Sequence, residues 1–139
     1  MKHKGACRDF NRQRDLDLLR AFRQAAAAAS FIDRSIFKVV VALPSERFWV
    51  SEERAVRVVS AMLAGKPLHL SPCKQEMFGE IYRRALFFLR ANPSLSLTDV
   101  ISRVLSQRAP KFYLTPESAR VIISRSPYIR EARRRPHRP

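Results

Sequence analysis

The chain has 139 residues, 46% of them hydrophobic, enough for one folded domain or two small halves sharing a buried interior. Lys and Arg number 27 against 12 Asp and Glu, so the net charge of +15 points to an anionic partner. Two cysteines, Cys7 and Cys73, with no CxxC or Cys/His ligand spacing, argue against a disulfide framework and a metal site, and three glycines leave no phosphate-binding loop.

Residues 1–14 read as a basic N-terminal arm carrying Lys2, Lys4, Arg8, Arg12 and Arg14. Met1-Lys2-His3-Lys4 opens like the charged start of a signal peptide, but no apolar run follows, and Ala25 to Ala29 is too short to serve. Nothing approaches the ~20 apolar residues of a membrane helix, so a soluble, cytoplasmic protein with no membrane partner is expected. The first helix is predicted from about Asp15 to Ala29, with Leu18, Leu19 and Phe22 on one face and Asp15 and Asp17 as N-terminal charges. Helix two spans about Asp33 to Leu43, where Ile36, Phe37, Val40 and Val41 share a face. Its Val39-Val40-Val41 run also suits a strand. The related stretch Asp99 to Leu105, with Val100, Ile101, Val104 and Leu105 around polar Ser102 and Arg103, decides for a helix.

Pro44 closes the second helix, and a third begins behind Ser51, whose hydroxyl suits an N-cap. Gly65-Lys66-Pro67 and Ser71-Pro72 mark a linker over residues 66–73, which contains His69. Helix four, about Lys74 to Ala91, carries Phe78, Ile81, Tyr82, Ala85, Leu86 and Leu89 at helical spacing, with Phe87 and Phe88 adding apolar surface that makes it central. Asn92-Pro93 stops it. Pro110 ends the fifth helix, and the sixth starts behind Thr115 with Pro116 at its first position. Beyond Ser126-Pro127 the chain is almost devoid of apolar residues, so residues 127–139 are expected to form a mobile basic tail.

One pattern occurs twice. Ser45-Glu46-Arg47-Phe48-Trp49-Val50-Ser51-Glu52-Glu53-Arg54-Ala55 returns 64 residues later as Ala109-Pro110-Lys111-Phe112-Tyr113-Leu114-Thr115-Pro116-Glu117-Ser118-Ala119, preserving cation, Phe, second aromatic, aliphatic and hydroxyl in order. The duplication implies an all-α fold of two tandem three-helix modules, residues 15–65 and 74–126, each helix-turn-helix-like with a short extended aromatic connector, between mobile basic termini.

A doubled unit in a basic protein suits a repetitive polyanion, DNA or RNA. Residues 1–14 and 126–139 hold ten of the 27 cations and two of the 12 acids, and the 17 cations and 10 acids that remain still net +7. Helix-turn-helix logic places Arg54, Arg57, Ser118, Arg120 and Arg125 on the outward side of the third helices, for modest base readout, and Arg47 and Lys111 against backbone phosphates. Arg130, Arg133, Arg134 and Arg135 would bind phosphate without reading sequence. Two features oppose groove entry: the connector of about eight residues is longer than the motif's tight turn, and Glu52, Glu53 and Glu117 stand where phosphate would approach. Trp49 and Tyr113 invite stacking on unpaired bases, but alternation along an extended segment favours Phe48 and Phe112 as core plugs, with the second aromatic packed on a neighbouring helix. The histidines His3, His69 and His137 fall in tails and linker, so no catalysis, cofactor or metal is expected.

The paired motif of aromatic, aliphatic and hydroxyl residues before a helix containing Glu and Ala resembles small basic proteins of bacterial mobile elements and phages. That resemblance implies a DNA- or RNA-associated role and assigns no site residues. The residues favour a non-enzymatic nucleic-acid-binding protein, regulatory or architectural. The alternative is a structural or adaptor protein that binds another protein through its duplicated aromatic surface.

Overall fold

The computed structural model describes residues 4–127, with side chains from Phe10 onward. These residues form six helices and no strand: α1 (Lys4–Ala28), α2 (Ile36–Ala42), α3 (Glu52–Leu63), α4 (Pro72–Ala91), α5 (Leu97–Leu105) and α6 (Pro116–Arg125). Four hydroxyls set their starts. Ser51, Ser71, Ser96 and Thr115 each accept the backbone N–H three residues on, from Arg54, Lys74, Asp99 and Ser118 respectively. Pro72 and Pro116 open α4 and α6, where a missing N–H costs nothing. Gly65 ends α3 at φ +70, with Gly65 N–H on the Met62 carbonyl and Lys66 N–H on that of Ala61, the paired bonds of a Schellman cap.

Two elements differ from expectation. The segment 4–14 is not an arm: α1 begins at Lys4, because Arg12, Gln13 and Arg14 are good helix formers and carry the helix back from its apolar stretch. Asp15 and Asp17 therefore lie mid-helix rather than at its start. Asp17 is buried and accepts from Arg20 at 2.6 Å, and Asp15 accepts from Arg14. The second helix begins at Ile36, since the Asp33 carboxylate accepts the Ser35 N–H at 3.0 Å and holds residues 33–35 in a turn.

The helices also group differently from the tandem order. The chain divides into a continuous unit, Pro44–Tyr113, and a split unit, Met1–Leu43 with Leu114–Pro139. α3 packs with α4 and α5, while α6 packs with α1 and α2. Each unit thus takes two helices from one repeat and the third from the other. The physical reason is that residues 44–51 and 106–115 carry the chain away from the helix pair just completed.

Inside the continuous unit the two connectors meet at equivalent positions. Ser45 and Ala109, 64 residues apart in the repeat, form an antiparallel bridge, with N–H to carbonyl bonds of 3.1 and 3.0 Å in the two directions. The buried Ser45 hydroxyl donates to the Arg47 carbonyl at 2.8 Å. Around them Phe48, Val50, Ala55, Val58, Val59, Met77, Phe78, Ile81, Ala85, Val100, Ile101, Val104, Leu105 and Tyr113 form one core. In the split unit Leu18, Leu19, Ala21, Ile36, Val40, Ala119 and Ile123 are buried, and Phe22 of α1 stacks on Phe37 of α2 at 5.7 Å. No helix among the described residues is long and apolar enough to cross a membrane.

Candidate nucleic-acid interface

The two connector cations, expected against phosphate, are half-buried and lie against neighbouring side chains of the continuous unit. Arg47 donates from Nε to the Phe48 carbonyl at 3.2 Å, and its guanidinium lies 5.3 Å from the centre of the Trp49 ring. Burial disfavours its charge and holds its pKa below the usual arginine value. Lys111 pairs with Glu76, and its Nζ lies 5.7 Å from the Tyr113 ring centre. Both therefore cover the second aromatic of their own connector. A cation spent in this way stabilises a ring face by about 0.5–2 kcal/mol and is poorly placed for a polymer.

The helix cations fall on both units. On α3, Arg54 and Arg57 are exposed, Arg54 with its guanidinium 5.9 Å from the Phe78 ring centre. On α6, Ser118 is exposed but engaged in the cap, its hydroxyl oxygen accepting from the Thr115 hydroxyl at 2.9 Å. Arg120 donates from Nε to Glu117 at 3.0 Å, and this hydrogen-bonded pairing raises the Arg120 pKa and lowers that of Glu117. Arg34 adds to the depression at Glu117. Arg125 is exposed at the end of α6. Arg47, Arg54, Arg57 and Lys111 thus belong to the continuous unit, and Ser118, Arg120 and Arg125 to the split one. Arg130, Arg133, Arg134 and Arg135 lie outside the described residues.

Sequence reasoning passed over the residue that ties the continuous unit together. Arg84 donates to Glu80 at 2.7 Å, to the Gln107 side chain at 3.2 Å and to the Arg108 carbonyl at 3.0 Å, with its guanidinium 4.9 Å from the Phe48 ring centre. Glu80 also accepts from Arg83, and the two arginines, Arg83 foremost, hold its carboxyl below the usual range. The i, i+4 spacing of Glu80 and Arg84 was the available signal.

Other exposed cations stand without an acidic partner. Arg57, Arg90, Arg103 and Arg108 in the continuous unit, and Arg23, Lys38 and Arg125 in the split one, are exposed and make no ion pair among the described residues. The continuous unit, residues 44–113, has eleven cations and six acids and nets +5, and the split unit, residues 1–43 with 114–139, has sixteen and six and nets +10. Both units carry a positive surplus, and half of the split unit's falls in residues 1–3 and 128–139.

Unlike the charges, the duplicated aromatics are withdrawn. Phe48, Phe112 and Tyr113 are buried and Trp49 is half-buried beneath Arg47. Exposed apolar side chains lie elsewhere, Leu63 and Phe87 on the continuous unit and Leu16, Phe31, Ile32 and Val39 on the split one, where Phe31 and Val39 help line a cavity of about 290 Å³ with Ala25, Ala28 and Ile36. Among the described residues no group of three His, Cys, Asp or Glu side chains is arranged to hold a metal ion. No protein-family model, curated protein or solved structure matches this chain.

Proposed function

We propose that the protein binds nucleic acid without catalysis, holding phosphate through distributed positive charge in a regulatory or architectural role. The observation that carries this reading is a positive surplus on both units, +5 and +10, presented in part by exposed arginines that make no ion pair among the described residues. A polyanion that approaches either unit meets a positive field, and each exposed arginine that is not in an ion pair adds to it.

Backbone contact fits the residues better than deep groove reading. Every capped helix of the two connectors and of α5 opens on an acid, Glu52 and Glu53 in α3, Asp99 in α5 and Glu117 in α6. Carboxylates there stabilise the helix dipole and repel a phosphate backbone. Arg57, Arg103, Arg108 and Arg125 are the better-placed ligands, joined by Arg54, while Arg47, Lys111 and Arg120 serve the fold. Arg130, Arg133, Arg134 and Arg135 extend the positive charge beyond α6.

The test is a salt series. Affinity for duplex DNA, single-stranded DNA and RNA, followed by fluorescence anisotropy, should fall linearly on a logarithmic salt axis with a slope of about −0.9 per phosphate neutralised on duplex DNA and about −0.7 on single strands. A flat response across all three polymers overturns the proposal. A protein-binding role draws its support from Phe31, Ile32 and Val39 rather than from the buried connector rings.

A further inference from the structure

On the outward side of α4 the continuous unit leaves Phe87 open to solvent, 71% exposed, and surrounds it with arginines. Helical spacing sets Arg83 and Arg84 one turn before the ring and Arg90 one turn after it. Arg84 also donates to the Arg108 carbonyl at 3.0 Å, which ties the backbone of a fourth arginine beside the same helix. Arg90 and Arg108 are exposed and make no ion pair among the described residues. The nearest acid on this side is Glu80, two turns before Phe87, and it accepts from both Arg83 and Arg84. Glu76, a turn further back, is paired with Lys111.

The ring is braced. Phe88, which packs against the core, meets Phe87 edge to face with centroids 6.1 Å apart and planes at 78°, and the exposure of Phe87 leaves a face of its ring in water. A lone exposed phenylalanine is ordinary, and what distinguishes this one is its place among cations. An apolar partner laid on Phe87 would strip water from those arginines without replacing it. A duplex offers them phosphates but keeps its base faces stacked inside. A single strand offers both groups at once, phosphates for the guanidinium groups and a bare base for the ring.

We propose that Phe87 is a stacking platform for an unpaired base, with Arg90 and Arg108 on the flanking phosphates, so that the preferred nucleic acid is single-stranded. This inference rests on the nucleic-acid reading above and names its substrate class. Arg83 and Arg84, held by Glu80, shape the surface around the ring. Duplex still binds through charge, and because every base has a π face the site carries little sequence preference.

The experiment uses the full chain and follows anisotropy on an oligothymidylate, an oligouridylate and a duplex of equal length across a salt series. Phe87→Ala should weaken both single strands on the order of tenfold, with the salt slope unchanged, and alter duplex affinity by less than about twofold. Phe87→Leu, which keeps apolar bulk against Phe88, should lose nearly as much, whereas Phe87→Tyr keeps a π face and should bind like the wild type. Arg90→Gln should instead shallow the single-strand slope by about 0.7. Thermal midpoints near the wild-type value are expected throughout, because the altered side chains are exposed. Single-strand affinity unchanged in Phe87→Ala and Phe87→Leu, or an equal loss on the duplex, overturns the stacking site and leaves binding through charge standing. A wild-type chain that binds none of the three polymers removes both readings together.

Discussion

The rings of Phe48 and Tyr113 stack at 6.1 Å with an interplanar angle of 15°, so the first aromatic of one repeat rests on the second aromatic of the other. The connectors are thereby part of the core rather than ties between finished modules. Phe48, 1% exposed, also carries the Arg84 guanidinium on its ring. Phe48→Ala is expected to cost about 3–5 kcal/mol of stability in urea denaturation. A loss below about 1 kcal/mol would mean the ring fills no essential space.

Tyr113 gives the fold an alkaline limit. Burial, with Glu80 and Glu76 nearby, pushes its phenol from 10.0 up to about 12. Between these values the unfolded chain loses the proton and the folded chain keeps it, so the folded state binds more protons and stability falls as pH rises through that window. Denaturation midpoints at pH 9 and pH 11 should drop more for the wild type than for Tyr113→Phe, which has no proton to lose. Equal drops would place the phenol in a water-like setting.

Gly65 offers a clean backbone test, since nothing lies within 4 Å of where a Cβ would sit. Its φ of +70 alone penalises a side chain. Gly65→Ala should destabilise by about 1 kcal/mol, read from the thermal midpoint, and leave nucleic-acid affinity unchanged.

Charge reversal separates cations that hold the fold from those offered outward. Arg57→Glu and Arg103→Glu together should weaken duplex binding at least tenfold at low salt and shallow the salt slope by about 2, with little change in melting temperature. Lys111→Met should do the reverse, lowering stability by up to about 1 kcal/mol with affinity nearly intact, because its partners are Glu76 and the Tyr113 ring. Anisotropy titrations alongside thermal melts of the three proteins check both halves of this contrast.

Capping is expected to be nearly symmetric between repeats. Ser51→Ala and Thr115→Ala should each cost about 1 kcal/mol by chemical denaturation. The Thr115 change also removes the hydroxyl that donates to Ser118, which should make it the larger of the two.

The helices were legible because their signals are local. Ser51 and Thr115 behind the connectors, Pro116 at a first helical position and the apolar face of Val100, Ile101, Val104 and Leu105 act over three or four residues, and each is found where the residue pattern put it. The pairing of helices was not legible, because a repeat in sequence fixes what recurs and not which copy packs on which. Nothing in the spelling of Ser45 and Ala109 announces that these equivalent residues bridge. The contacts of Arg47 and Lys111 were hidden for a related reason: nothing beside a helix start in the sequence marks the ring and carboxylate that these cations meet in space, Trp49 and Glu76. Arg84 hid as an ordinary i, i+4 partner of Glu80.

The crossed assignment of α3 and α6 means that a half-gene does not encode a half-protein. A chain cut between Gly65 and Ser71 would leave α3 nested against α4 and α5 while α6 stays on α1 and α2, so the severed pieces clasp each other and co-purify. Either piece expressed alone lacks the third helix of its one intact pair, so folding is expected only on co-expression.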